Sequence, residues 1–236
     1  MITSPRFSAS RYLVFILVAY GCCTTQGIAA NLFISTPNVK LHVPVISSHE
    51  ARFRFTIKQE RDYSCGSAAV ATLLTYHYQF PVNEHDVFNF MYQNGDQKQI
   101  RRYGFSLLDM KYYLEAKGFK ADGFRLPLNE LAKIGVPAIT LINDDGYNHF
   151  VVIKGIAPHY VLLGDPAKGT RAMSRRRFEK IWNGLAFVIR NKRDVATAYF
   201  NRDEEWRVVG RAPLNTVLPR QGIAGLLLTL PGPYEF

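Results

Sequence analysis

Hydrophobic and polar positions divide the chain into a helix-rich part followed by a strand-rich part. Residues 53–58 alternate between apolar and polar side chains, and this period of two predicts a half-buried strand. The next apolar segment, 65–77, is rich in alanine and leucine and lacks proline, which predicts a buried helix. Cys65 is therefore expected at or next to the N-terminus of a helix.

Polar caps mark the helices that follow. Asn83 precedes an amphipathic segment that runs to Met91, and Ser106 precedes another that Gly118 ends. Residues 128–134 predict a further, shorter helix.

Mostly apolar runs bounded by turn residues dominate the second part of the chain. They predict strands over 136–142, 149–156, 160–163 and 185–189, with a basic helix capped by Ser174 before the last one. In this order the helices come first and a mostly antiparallel sheet follows, which is typical of the α+β class.

Residues 1–30 indicate an export signal. Arginines precede an apolar run at 12–20, and Ala29 and Ala30 place small residues where a signal peptidase cuts. The run is short for a membrane span. We expect cleavage after one of these alanines and a periplasmic mature protein, with a lipoprotein modified at Cys22 and an uncleaved membrane anchor as open alternatives.

The remaining chain divides near residue 190. Residues 31–190 are long enough for one domain with a full core. Residues 191–236 form a C-terminal extension with several prolines and one apolar run, 223–230. This run fits either a strand packed on the domain or an interaction tail.

Composition and charge exclude only a few classes of protein. Hydrophobic residues make up 47% and charged residues 20% of the 236 positions, which excludes a wholly disordered chain. The net charge of +10 is typical of proteins that bind nucleic acids or anionic membranes. However, the charges are spread along the chain and the densest run is 175–177. We interpret that run as a solvated helix face and expect no nucleic-acid partner.

Cysteine usage is more informative. Removal of the signal would also remove Cys22 and Cys23, so that Cys65 would be the single cysteine of the mature protein. A lone thiol in an oxidising compartment is either a buried structural residue or a reactive one. A helix N-terminus stabilises a thiolate, which favours Cys65 as a nucleophile.

A cysteine nucleophile needs a base and a group that orients the base. His149 is the candidate base because it begins an apolar strand directly after a turn, where a cleft at the sheet edge would open. Asp165 ends the following strand. If the two strands are antiparallel neighbours, Asp165 meets His149 at that edge, although an Asp-Pro turn residue that caps its own backbone is the simpler reading. Gln59, six residues before Cys65, is the candidate oxyanion donor, together with the backbone N–H of Cys65.

At these positions the sequence resembles peptidase family C39, the bacteriocin-processing peptidases. The resemblance lies in 59–69, 148–152 and 164–167, in the family's order and at fitting spacing, and it covers roughly residues 55–190. It implies a papain-like fold for a domain at 31–190.

The resemblance also implies roles for four side chains. It assigns the nucleophile to Cys65, the base to His149, the orienting acid to Asp165 and the oxyanion-hole glutamine to Gln59. Some members of the family have lost the cysteine and only bind peptides, whereas this sequence keeps all four positions.

The predicted function is that of an exported cysteine peptidase that cleaves a secreted protein or peptide. Many family members precede a transporter and cut leader peptides in the cytoplasm. This sequence has an export signal and no P-loop pattern, so we do not expect that role. The chain also resembles stand-alone exported C39 proteins of functional-amyloid secretion systems, which points to an amyloid subunit or a secretion component as substrate. We expect no nucleotide, metal or other cofactor. Alternatives are a non-cleaving peptide-binding module and transpeptidation.

Overall fold

The structure, a computed structural model, describes residues 30–36, 39–45, 47–144 and 146–209. Nearly all of the predicted export signal and the apolar run 223–230 lie outside these residues. The chain divides into two compact units, one up to Val45 and one from Ile46. In the first unit, β1 (Ala30–Thr36) pairs antiparallel with β2 (Val39–Val45).

The described part of the second unit is built on a six-stranded antiparallel sheet. The strand order is β3-β8-β4-β5-β6-β7. The strands are β3 (Ala121–Arg125), β4 (Ala138–Asp144), β5 (Tyr147–Ile156), β6 (Tyr160–Asp165), β7 (Gly169–Ser174) and β8 (Leu185–Ile189). The predicted strands correspond to β4, β5, β6 and β8, whereas β3 and β7 were not predicted.

Helices cover both faces of this sheet. They are α1 (Ser48–Phe53), α2 (Cys65–His77), α3 (Glu84–Asn94), α4 (Gln97–Tyr103), α5 (Leu107–Ala116), α6 (Leu128–Ile134), α7 (Arg175–Ile181), α8 (Arg193–Ala198) and α9 (Asp203–Val208). The predicted caps are present: Asn83 accepts from the backbone N–H of Asp86, and Ser106 forms a capping box with Asp109. The α+β class is confirmed.

The predicted strand at 53–58 is wrong. Ser47 caps α1, which ends at Phe53, and turns follow. The most buried residue of this segment is the polar Thr56, whereas the apolar Phe53, Phe55 and Ile57 are half-buried. The backbone of the segment joins no strand ladder. Instead, the N–H of Ile57 donates to the hydroxyl of Thr72 at 2.9 Å, and Phe55 packs edge-on against Tyr76. The alternation of apolar and polar residues therefore indicated neither strand pairing nor the observed pattern of burial.

Helix α2 runs through the core between the sheet and helices α3 and α5. Nearly all of its residues are buried, including Leu73 and Leu74. Gly66 lies against α5 so closely that a Cβ atom there would come within 2.8 Å of Cε of Met110. The small size of this glycine thus serves helix packing. A second apolar cluster joins α6 and α7 to the other face of the sheet.

The described part of the predicted C-terminal extension packs on the domain. Ala196 of α8 is buried in the core cluster of α2. Asn201 accepts from the backbone N–H of Ile156 at 2.7 Å, and the buried carboxylate of Glu205 in α9 pairs with buried Lys154 of β5 at 2.5 Å. None of the described helices is both long and apolar enough to cross a membrane.

Candidate active site

Cys65 is the first residue of α2. The preceding residue, Ser64, makes no side-chain capping bond to the helix; its hydroxyl donates instead to the carbonyl oxygen of Arg61 at 3.0 Å. The first-turn N–H groups and the positive end of the helix dipole are thus left for a negative charge near Cys65. The thiol is free and the residue is only 6% exposed. Burial alone would suit a structural cysteine, so its neighbours decide the reading.

His149 and Asp165 meet as the antiparallel arrangement requires. Strands β5 and β6 are antiparallel neighbours, with Val152 opposite Gly164, so that the start of one strand lies beside the end of the other. Nε2 of His149 donates to Oδ1 of Asp165 at 2.8 Å. Both side chains are buried, and Asp165 is fully so. The opposite ring nitrogen, Nδ1, has no other hydrogen-bond partner and is left for the thiol of Cys65.

The charges of these groups support one another. Burial lowers the pKa of His149, but the hydrogen bonds and charges of Asp165 and Cys65 outweigh burial and raise this pKa to about 9. Burial raises the pKa of Asp165, but the hydrogen bond and charge of His149, the charge of Arg171 and a backbone hydrogen bond lower it to about 2. At neutral pH the pair is therefore an imidazolium and a carboxylate.

Asp165 also serves the turn that follows it. Its Oδ1 accepts from the backbone N–H groups of Ala167 and Lys168, at 2.9 and 3.1 Å. The simpler reading of this residue, a turn former that caps its own backbone, is therefore right as well. The two roles are compatible because a carboxylate oxygen accepts several hydrogen bonds.

Gln59 lies in the loop before α2, and its backbone N–H donates to the carbonyl oxygen of Pro166 at 3.0 Å. This bond ties the loop to the Asp165 turn. Its side-chain Nε2 donates to the carbonyl oxygen of Arg61 at 2.9 Å, and its Oε1 is buried without a partner. The amide is thus held close to the start of α2 but turned toward its own loop, and its role as an oxyanion donor stays a prediction.

Two further side chains at the site were missed by sequence reasoning. Nε of Arg171, on β7, donates to Oδ2 of Asp165 at 2.9 Å. The hydroxyl of Tyr147 donates to the carbonyl oxygen of Asp62 at 2.9 Å, and its ring centroid lies 5.9 Å from that of His149. Tyr147 therefore bridges from β5 to the loop that precedes Cys65. Tyr147 directly precedes the motif segment 148–152, which was its only signal in the sequence, whereas Arg171 lies beyond 164–167 and gave none.

Three other histidines of the second unit have different surroundings. His77 is buried at the far end of α2, where its Nδ1 bonds to the carbonyl oxygen of Tyr199 at 2.8 Å. Burial and the charge of Lys154 hold the pKa of His77 well below its ordinary value. His85 and His159 are exposed. Among the described residues, no group of three or more His, Cys, Asp and Glu side chains is arranged to hold a metal ion.

Comparison with known proteins agrees with this geometry. Residues 54–194, more than half of the chain, match the model of the Peptidase C39 family. The chain belongs to this family. It is accordingly a cysteine peptidase, and C39 membership brings the papain-like fold that the resemblance implied.

Similar C39 proteins come from Pseudomonas. The chain is 39% identical over 181 residues to the "Probable functional amyloid protease FapD" of Pseudomonas aeruginosa, covering 76% of this chain and 79% of that protein. The protein of the same name from Pseudomonas fluorescens is 40% identical over 145 residues, covering 61% and 64% of the two chains.

Two solved peptidase domains of transporters are similar at lower sequence identity. The peptidase domain of Streptococcus ComA, a bifunctional ABC transporter, superposes with a TM-score of 0.49 at 20% identity, over 58% of this chain and 98% of that domain. A double glycine motif protease from an AMS/PCAT transporter, solved with its leader peptide, gives a TM-score of 0.47 at 26% identity, over 57% and 89% of the two chains.

Proposed function

We propose that this C39 peptidase cleaves a peptide bond in a secreted protein by a Cys-His-Asp mechanism, with Cys65 as nucleophile, His149 as base and acid, and Asp165 as the group that orients His149. The observation that carries the proposal is the buried 2.8 Å hydrogen bond between His149 and Asp165, with Nδ1 of His149 left for the thiol at the start of α2. A purely structural cysteine has no need of such a pair.

In the proposed reaction the thiolate of Cys65 attacks the carbonyl carbon of the scissile bond. The backbone N–H of Cys65 and a reoriented Gln59 amide donate to the oxyanion of the tetrahedral intermediate. His149 then gives its proton to the departing amine, and a thioester to Cys65 remains. A water molecule, deprotonated by His149, hydrolyses the thioester and restores the pair.

We further propose that the substrate belongs to a functional-amyloid secretion system and that the protein acts in the periplasm. Two relatives at about 40% identity carry the functional-amyloid name, and the first thirty residues have the pattern of an export signal. An amyloid subunit and another secretion component both fit this proposal. The chain keeps the expected residue at all four site positions of the C39 motif, and this disfavours a non-cleaving binding module.

The test uses protein recovered from the periplasm and a thiol-alkylating probe, such as a peptidyl acyloxymethyl ketone, which loses its carboxylate as a thioether to the cysteine forms. We expect labelling of Cys65 in the wild-type protein, none in Cys65→Ala, and at least a hundredfold slower labelling in His149→Ala. Cleavage of the co-expressed amyloid subunit should be lost in both variants, and the double variant should be hardly worse than either, since these groups act as a unit. His159→Ala is the matched control.

Unchanged cleavage in Cys65→Ala would contradict the proposal. Binding of the subunit without cleavage by the wild-type protein would favour the non-cleaving module. Protein found only in the cytoplasm, or a lipid on Cys22, would refute cleaved export.

A further inference from the structure

Arg171 lies behind the proposed catalytic pair, on the side of Asp165 away from His149. It belongs to β7, the strand that follows the Asp165 turn, and β6 and β7 are paired so that Asp165 lies opposite Gly169. Arg171, two residues beyond Gly169, is then the diagonal neighbour of Asp165 on the same face of the sheet. Its Nε donates to Oδ2 of Asp165 at 2.9 Å, while Oδ1 accepts from His149.

Asp165 thus stands between two cationic groups, and it is fully buried. A buried carboxylate is costly unless a positive charge and hydrogen bonds compensate it. While His149 is protonated, the imidazolium supplies that charge. A peptidase cycle, however, requires His149 to lose its proton at one step, and without another cation Asp165 would then be a buried, uncompensated anion.

The arginine is itself held in place. Its Nη2 lies 3.5 Å from Oδ2 of Asp144, the last residue of β4. Asp144 is bound further out by Lys168 at 3.0 Å and by Arg177 at 3.2 Å. The side chain of Arg171 is only 20% exposed, whereas that of Arg177 is 60% exposed. The charge of Arg171 is therefore less screened by water than that of its neighbour.

We infer that Arg171 is a positioning residue that compensates the Asp165 carboxylate when His149 is uncharged, and so lets His149 release its proton to the departing amine. In that step the C–N bond of the tetrahedral intermediate breaks, the nitrogen takes the proton from the imidazolium, and His149 becomes neutral. Asp165 and Arg171 keep their charges throughout. The inference rests on the proposed Cys65–His149–Asp165 mechanism.

The inference predicts the direction in which the pKa of His149 shifts when Arg171 is replaced. Without the guanidinium, Asp165 would depend on the imidazolium alone, so His149 would hold its proton more tightly. Loss of Arg171 should therefore raise the pH at which His149 titrates, whereas loss of the Asp165 charge should lower it. A residue that only stabilised the fold would shift neither value.

The test is an NMR titration of the His149 ring in the full mature protein, with its signal assigned by its absence from His149→Ala. We expect Arg171→Gln to raise the titration midpoint by about one pH unit, and Arg171→Lys, which keeps the charge, to stay within about 0.3 unit of wild type. Arg177→Gln is the matched control, because Arg177 binds Asp144 but not Asp165, and its midpoint should not move. Asp165→Asn should move the midpoint in the opposite direction.

The outcomes separate this inference from the function on which it rests. If the titration midpoint of His149 in Arg171→Gln is unchanged or lower than in wild type, the inference is overturned. The proposed function still stands in that case, provided that the wild-type midpoint is raised and Cys65 reacts with the probe. A wild-type midpoint near the ordinary 6.5 together with an unreactive thiol would overturn the proposed function itself. If the glutamine variant does not fold, Arg171→Met, whose unbranched chain fills similar space, is titrated in its place.

Discussion

Two backbone N–H groups and one imidazole share a single oxygen of Asp165. The N–H groups belong to the turn after β6, so the same contacts that close the turn also fix the carboxylate toward His149. Local chain folding thus fixes the orientation of the Asp165 carboxylate toward His149 before any substrate is bound.

Replacing Asp165 by Asn tests this arrangement, because it removes the negative charge and keeps a side chain of nearly the same shape. The hydrogen bond and charge of Asp165 help to raise the pKa of His149 to about 9, so their loss should return this pKa toward 6.5. His149 would then lose its proton at lower pH, and the alkaline limit of probe labelling should move down by one unit or more. Cleavage at neutral pH should fall by roughly a hundredfold or more, since a misoriented base is a severe defect.

The pH profile of probe labelling, measured for wild type and Asp165→Asn, checks this expectation. Asp194→Asn, in α8, serves as the exposed control with the same chemical change. An alkaline limit that stays in place would mean that Asp165 matters to the turn alone.

The sequence predicted three of the charged or reactive groups at the site but not the fourth. Cys65 begins α2, Asp165 ends β6 and His149 lies near the start of β5, and each adjoins an apolar run that could be recognised in the sequence. Arg171 lies within a polar stretch that gave no strand signal, so its pairing with Asp165 was invisible until β7 was known. Its contact follows from strand register, which sequence periodicity alone does not fix.

At the scale of elements, α2 decides where the thiol lies. Its N-terminal turn is pressed against α5, and a Cβ at position 66 would lie 2.8 Å from Cε of Met110 and 3.0 Å from Cβ of Phe105. The methyl end of a methionine can move aside, but Cβ of Phe105 is fixed to the backbone.

Gly66→Ala should therefore push the start of α2 away from α5. We expect a loss of about 1–3 kcal/mol in the free energy of unfolding, the usual result of overpacking, together with slower labelling of Cys65. Denaturant unfolding and probe kinetics measure the two effects. Gly123→Ala is the control, because a Cβ there meets Leu185 at an ordinary 3.4 Å. A wild-type stability and labelling rate in Gly66→Ala would show that a Cβ at position 66 fits between α2 and α5.

The strands that sequence reasoning missed share a physical cause. β3 and β7 are the two edges of the sheet, and β3 leaves most of its residues exposed or half-buried. An edge strand packs on one neighbour only, so it needs fewer apolar residues and shows a weaker pattern. The inner strands β4, β5, β6 and β8 bury both faces and were predicted for that reason.

At the scale of the whole molecule, the C-terminal helices extend the domain beyond the family match. That match ends at residue 194, yet the segment after it binds β5 at several points. Asn201 lies so close to Gly155 that its Oδ1 would clash with any Cβ there. Lys154 and Glu205 form a buried pair between the same elements, and Lys154 also donates to the carbonyl oxygen of Phe55.

Breaking this pair should destabilise the fold and leave the chemistry intact. Burial lowers the pKa of Lys154 to about 8 even though Glu205 acts in the opposite direction, so the lysine depends on that carboxylate to stay charged. Glu205→Gln removes the charge and leaves a buried, unpaired ammonium. We expect a loss of about 3 kcal/mol in the free energy of unfolding at pH 7, measured by denaturant titration. Below the unfolding transition, the labelling rate of Cys65 should equal that of wild type.

The pH dependence of this loss gives the sharper test. Without Glu205 the pKa of Lys154 should fall further below its unfolded value near 10.4, so the folded variant releases the proton at a lower pH than wild type does. Stability rises with pH wherever the unfolded chain binds more protons than the folded one. The variant should therefore gain more than wild type as the pH rises toward 8, and so regain part of its deficit, because wild-type Lys154 still holds its proton up to a pKa of about 8. Glu204→Gln, one residue away and 60% exposed, should show neither the loss nor the recovery. A deficit in Glu205→Gln that is constant with pH would mean that the carboxylate contributes packing alone, and that the ammonium of Lys154 is compensated by other groups.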